Sequence, residues 1–227
     1  MVLVLSSFAG AAALVEWSLD GAPHTPPPET WPASFAVEGV TPFDLSRGPG
    51  IRAMSLTNGF SADEWDDAVS RDAALNIGAY FQFGFKVDEG KTVSLSTLDF
   101  ALRRSARTAP YNIEVQVSLD GFATPGIVVA SLNYFGRTSG TAPWPDPTQN
   151  DPYYYMHSDL PGRPNETTSP GDPVPTIDLT AISALQNIPG GTEVTFRIYA
   201  WGDSGTTNTN TLALGRMIGP LIGGTIQ

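Results

Sequence analysis

The chain contains no cysteine and only two histidines in 227 residues, and both scarcities exclude chemistry. Without thiols there is no disulfide framework, no thiolate nucleophile and no cysteine-ligated metal. His24 and His157 each lie among prolines and polar residues, and no Gly-x-Ser-x-Gly elbow accompanies them. A Ser-His-Asp triad therefore finds no support, and both are read as surface residues. Charge is scarce as well, at 15% of residues, against roughly 25% in an average soluble domain. The charge present is acidic, 12 basic against 23 acidic residues for a net -11, which argues against nucleic acid or an anionic membrane as partner. No apolar run reaches the ~18 residues of a membrane-spanning helix. Internal repeats and coiled-coil heptads are also missing.

What the chain has in quantity is glycine, proline and short apolar stretches: Gly 23, Pro 20 and 41% hydrophobic residues. Many strands joined by turns follow from that profile. Tyr80 to Val87 alternates Tyr80, Gln82, Gly84 and Lys86 with Phe81, Phe83, Phe85 and Val87. Thr92 to Arg103, Tyr111 to Leu119, Ile127 to Phe135 and Thr192 to Trp201 repeat the period of two, as half-buried antiparallel strands do. Leu14–Leu19, Ser34–Val40, Ile51–Leu56 and Thr211–Gln227 supply further strands. Pro26-Pro27-Pro28 makes an extended connector. Ser61–Asn76 reads as an irregular or one-to-two-turn helical loop, and Leu179–Ile188 as a short helix stopped by Pro189-Gly190-Gly191. Residues 136–175 hold nine of the prolines with no sustained hydrophobic period, which marks an insertion. The expected fold is all-β: an antiparallel, jelly-roll-like β-sandwich spanning 14–227, with one short helix and the Pro-rich insertion 136–175, preceded by an apolar segment 1–13.

That apolar segment has no Lys or Arg, so it lacks the basic region of a secretory signal. Val2, Leu3, Val4, Leu5 and Phe8 place apolar side chains on both faces of an extended strand, and both faces must then be sheltered. A remnant of a signal ending in Ala11-Ala12-Ala13 is the competing reading. Both readings place the protein outside the cytoplasm.

Three groups of phrases carry a resemblance: Phe60-Ser61-Ala62-Asp63-Glu64-Trp65 with Ala79-Tyr80-Phe81-Gln82-Phe83; Leu95 to Ser105 with Val117-Ser118-Leu119-Asp120-Gly121-Phe122; and Leu185-Gln186-Asn187 with Thr195 to Gly202. The chain resembles the secreted jelly-roll β-sandwich proteins of environmental bacteria that carry a PEP-CTERM sorting tail, over residues 14 to 215 outside the insertion. More loosely, it is similar to subunits of extracellular glycosylated fibrils. The resemblance implies a secreted, extracellular envelope or matrix protein with no known reaction. No Pro-Glu-Pro motif or hydrophobic tail follows, so free secretion or assembly is expected in place of covalent sorting.

The remaining candidates each have a bland alternative. Asp63, Asp66 and Asp67 offer carboxylates to a hard cation such as calcium, the one cofactor the composition suggests, but without the spacing of an EF-hand loop; a solvated acidic helix start is the alternative. Trp65, Trp144, Trp201, Tyr134 and Tyr153 to Tyr155 could form a sugar-stacking face or simply fill the core. Arg103, Arg104 and Arg107 read as cross-strand ion pairs near Asp99. Asn165-Glu166-Thr167 is the single glycosylation sequon, with Thr167 and Thr168 beside it as O-linked candidates. No paired carboxylates for hydrolysis can be nominated, so no enzyme is expected. Two functions follow: a structural subunit that polymerises with copies of itself, head to tail, by donating Val2–Phe8 as a strand, or a secreted carbohydrate-binding module.

Overall fold

The structure is a computed structural model and describes residues 12–104, 109–135, 153–155, 172–202 and 211–227. Strands make seventeen elements in three sheets, with one α-helix among the described residues. The first sheet runs in the order β13 (Ile177–Asp178), β7 (Thr92–Asp99), β17 (Leu221–Ile226), β1 (Ala13–Glu16) and β2 (Phe35–Ala36), with β14 (Ile188–Pro189) also on β7. The second runs β11 (Tyr153–Tyr155), β10 (Ile127–Phe135), β9 (Asn112–Ser118), β15 (Glu193–Trp201), β6 (Tyr80–Val87) and β3 (Val40–Arg47). The third runs β12 (Asp172–Pro173), β8 (Ala101–Arg104), β16 (Leu212–Leu214), β5 (Phe60–Asp63) and β4 (Arg52–Met54). Only Phe100 separates β7 from β8, so the first and third sheets are two halves of one layer bent at that residue. The expected β-sandwich is the observed fold.

Period two explains why this layer and the second sheet meet. Phe81, Phe83, Phe85 and Val87 of β6, and Val194, Phe196, Ile198 and Ala200 of β15, are all buried, as the alternation requires. Two successive inward phenylalanines of β6 grip the two halves of the bent layer. Phe83 meets the edge of Trp17 at 5.3 Å and stacks on Phe196 at 5.6 Å. Phe81 meets Phe60 at 6.0 Å and Trp65 at 5.8 Å. Edge-on and offset contacts of this kind match negative ring faces with positive ring edges. Both indole N–H groups are satisfied inside, Trp17 Nε1 donating to Phe43 O and Trp65 Nε1 to Ala62 O, each at 2.9 Å.

Four expectations change. Thr92–Arg103 is two strands, because the bend at Phe100 moves the chain from one half-layer to the other. Leu179–Ile188 is not a helix but a single 3₁₀ turn at Ser183–Leu185 followed by β14. Gln186 Nε2 donates to Leu95 O and Leu179 O, while Leu179, Leu185 and Ile188 are buried, so the segment is anchored on β7 and cannot coil freely. The insertion contributes strands: β11 pairs with β10 in parallel, and β12 pairs with β8. The domain boundary moves by one residue, since Ala13 already belongs to β1 and Ala12 O accepts from Gly224 N.

Helix α1 (Arg71–Ile77) sits where local chemistry allows it. Ser70 Oγ caps it by accepting from Ala73 N, and Gly78 ends it at φ 75 in the left-handed region open to glycine. Removing the ring that joins both layers is expected to be costly: Phe83→Ala should lower unfolding stability by about 3–5 kcal/mol in urea denaturation.

Candidate functional site

The acidic stretch is dispersed among different elements. Asp63 of β5 is buried, and its two oxygens accept from Arg52 Nε at 3.2 Å and Nη2 at 2.9 Å. Arg52 Nη1 also pairs with Glu64 at 2.8 Å. Asp67 is exposed, and Asp66 is half-buried with Oδ1 lacking a partner. Among the described residues no three His, Cys, Asp or Glu side chains are grouped to hold a metal ion. Asp63 is thus corrected from a loop ligand to the anchor of Arg52.

The richest polar arrangement lies on the outward face of the second sheet. There the strand registers align side chains in rows: Tyr80, Tyr199 and Glu114 in one, Gln82, Arg197 and Gln116 in the next. The Arg197 guanidinium lies between two rings, 4.2 Å from the centroid of Tyr80 and 3.9 Å from that of Phe122. Its Nε donates to Gln82 Oε1 at 2.8 Å and its Nη1 to the Tyr199 hydroxyl at 3.3 Å. A weakly hydrated, planar cation suits such a slot. Phe122 is delivered by a left-handed backbone, φ 65, that is unusual for a bulky residue. Ser118 Oγ accepts from Phe122 N at 2.8 Å, and Asp120 accepts from Thr124 through both N and Oγ1, so side-chain bonds hold the loop in that shape.

Beside it, Glu114 is fully engaged. Arg71 of α1 donates to both its oxygens at 2.8 and 2.7 Å, and Gln116 Nε2 donates to Oε1 at 2.6 Å. Burial pushes the Glu114 carboxyl up, but the bonds from Arg71 and Gln116 and the charge of Arg71 outweigh it and hold it below the ordinary 4.5. A carboxylate with both oxygens committed in this way is a poor general base. The face is built to hold its own geometry. The alternation of β9 predicts Glu114, Gln116 and Ser118 at the solvent side of a half-buried strand, yet all three are buried; α1 and the Phe122 loop cover them.

An open cleft of 390 Å³ lies at the opposite margin of the sheet, around Glu29, Ser46, Arg47 and Arg52. Arg47 lies 3.6 Å over the ring of Phe60 and donates to Ser61 O and Pro28 O, which ties the proline-rich connector to both layers. Burial pushes its guanidinium down to about 10, with Glu29 and Asp63 opposing.

The sheet margins differ sharply in how they are protected. β2, β12, β13 and β14 are two residues long and β4 is three. β3 carries Pro42, Asp44 and a register break between Phe43 and Ser46. β10 is nine residues, Ile-Val-Val-Ala-Ser-Leu-Asn-Tyr-Phe, without a charge or a proline. β11 covers only Asn133–Phe135, so among the described residues no strand pairs with the outer side of 127–132. Ile127 is 37% and Val128 45% exposed there. Long, uncharged edges of this kind template pairing with another strand. A register break lies between Val128 and Ala130.

Of the other expected residues, Trp65 is fully buried against Phe81 and is corrected from a sugar platform to core, and Trp201 packs half-buried on the same core. His24 is exposed. Asp99, expected among arginines, accepts from Thr176 Oγ1. Val2, Leu3, Val4, Leu5, Phe8, Arg107, Trp144, His157, Asn165, Thr167 and Thr168 lie outside the described residues, as do the side chains of Arg104, Tyr134 and Tyr153 to Tyr155. Sequence reading missed Arg197, Phe122 and the Arg71–Glu114 pair; the polar rows of β6, β9 and β15 were the available signal.

No protein-family model, curated protein or solved structure matches the chain. The Arg71–Glu114 ion pair generates a pH test. Because the folded carboxyl sits below 4.5, its contribution to stability is complete above that pH and is lost as pH falls through the lower folded value. In Arg71→Gln burial persists and the partner is gone. The Glu114 pKa should therefore rise above 4.5, and acid unfolding should begin at higher pH, as read by carboxyl-carbon NMR titration and urea melts.

Proposed function

We propose that the protein is a secreted, non-enzymatic structural subunit that assembles with copies of itself into a fibril or surface matrix by donating the segment Val2–Phe8 to a neighbouring sandwich. The observation that carries this reading is where that segment joins the fold. It precedes β1, an inner strand bonded to β17 on one side and β2 on the other. The described sandwich clamps its two layers through Trp17, Phe81 and Phe83. Burial of the segment's apolar side chains by a partner offsets the cost of leaving them in water. A contact in which one copy's segment meets another copy's body repeats without closing, as a filament requires.

The extracellular location rests on the resemblance to secreted envelope sandwiches. No described helix is long and apolar enough to cross a membrane. Deleting residues 1–10 should leave a folded monomer of the same strand content by circular dichroism, with polymers absent in light scattering and negative-stain micrographs. Filaments persisting in that deletion would overturn the reading.

A further inference from the structure

We infer that the cleft around Arg52 is a binding site for a neutral, polyhydroxylated ligand, a sugar, held by Arg52, Glu29 and Ser46. Among the described residues β3 and β4 are the last strands of their sheets, and the cleft is lined by both and by the connector at Glu29 and Thr30. Its 390 Å³ falls in the range of small-ligand sites. The walls are fixed before any ligand arrives. Arg47 Nη1 donates to Pro28 O and Glu29 O, Trp31 and Leu45 exchange backbone bonds at 2.9 and 2.8 Å, and Thr30 Oγ1 donates to Asp44 at 3.1 Å. Gly48 N donates to Tyr80 O, and a Cβ at Gly48 would collide with Gly78 O. A ligand entering such a cleft does not have to order it.

Charge decides the kind of ligand. Arg52 already pairs with Asp63 and Glu64, and Arg47 lies in the field of Glu29 and Asp63, so each guanidinium has its counter-charge. An anion would meet the carboxylates, and a cation the two arginines. Hydrogen bonding is what remains unspent. Of the five N–H groups of Arg52, Asp63 takes two and Glu64 one, which leaves two on a side chain that is 58% exposed. Among the described residues Glu29 is exposed and is engaged only through its backbone oxygen, so its carboxylate is open to donors. Ser46 Oγ reaches Gln82 O only at 3.5 Å and keeps its lone pairs. Arg47 is part of the frame, since Nε and Nη1 are bound and Nη2 is shut off from water. A sugar hydroxyl accepts from a guanidinium and donates to a carboxylate, and adjacent hydroxyls on one ring do both together. Ile51 and Ala53 offer the C–H face of that ring an apolar wall.

The test is saturation-transfer NMR and calorimetry on the full chain with glucose, galactose and N-acetylglucosamine, with glucuronate and galacturonate as anionic counterparts. At least one neutral sugar is expected to bind with a Kd on the order of 1 mM, and the uronates about tenfold more weakly. Glu29→Gln, at an exposed position that should leave the fold intact by circular dichroism, should weaken binding about tenfold. Ala53→Trp, which fills the cleft, should abolish it. Silence from all three neutral sugars, tighter binding of a uronate, or unchanged affinity in Glu29→Gln would each overturn the assignment. Self-association is judged separately, by the deletion of residues 1–10, and does not depend on this result.

Discussion

Phe83 wedged between Trp17 and Phe196 is the contact on which the rest of the molecule is registered. No disulfide exists to lock one layer on the other, so alignment comes from ring against ring. Two residues earlier on the same strand, Phe81 does for the second half of the bent layer what Phe83 does for the first, through Phe60 and Trp65. A single strand therefore sets the position of both half-layers, and the bend at Phe100 needs no support of its own.

Because β6 and β15 turn their phenylalanines inward, their alternate residues are committed to the outer face. The consequence is the row structure there: Arg197 held flat between Tyr80 and Phe122, and Glu114 tied to Arg71 and Gln116. These groups are polar but spent on one another. They brace the sheet, and α1 and the Phe122 loop are clasped to it by them. Among the described residues, β10 has a partner on its outer side only at Asn133–Phe135.

How much of this was legible follows from what each signal measures. The alternation in β6, β9 and β15 reports which side chains share a face, and Phe81, Phe83, Ile113, Val194 and Phe196 are buried as that pattern demands. It does not report what covers the opposite face. Glu114 and Gln116 therefore read as solvent-facing until α1 and Phe122 are seen lying over them. The break at Phe100 was hidden because both halves of 92–103 are equally β-prone. Asp63 was drawn into an acidic loop by its neighbours in sequence, although its place on β5 opposite Arg52 gives it a different partner. The uncharged run in β10 was visible from the outset, but its place next to the outermost described strand is a property of pairing between segments. Residues 2–8 and the glycosylation candidates fall outside the described structure.

The inner placement of β1 has a mechanical side. Tension delivered through the residues ahead of it enters along the strand axis, while the hydrogen bonds that hold it to β17 and β2 run across that axis. The load is then shared as shear by bonds on two flanks at once, and they must break together; an edge strand pulled sideways would instead unzip one bond at a time. A chain of such sandwiches would resist stretching at the joint where each subunit is gripped by its own sheet.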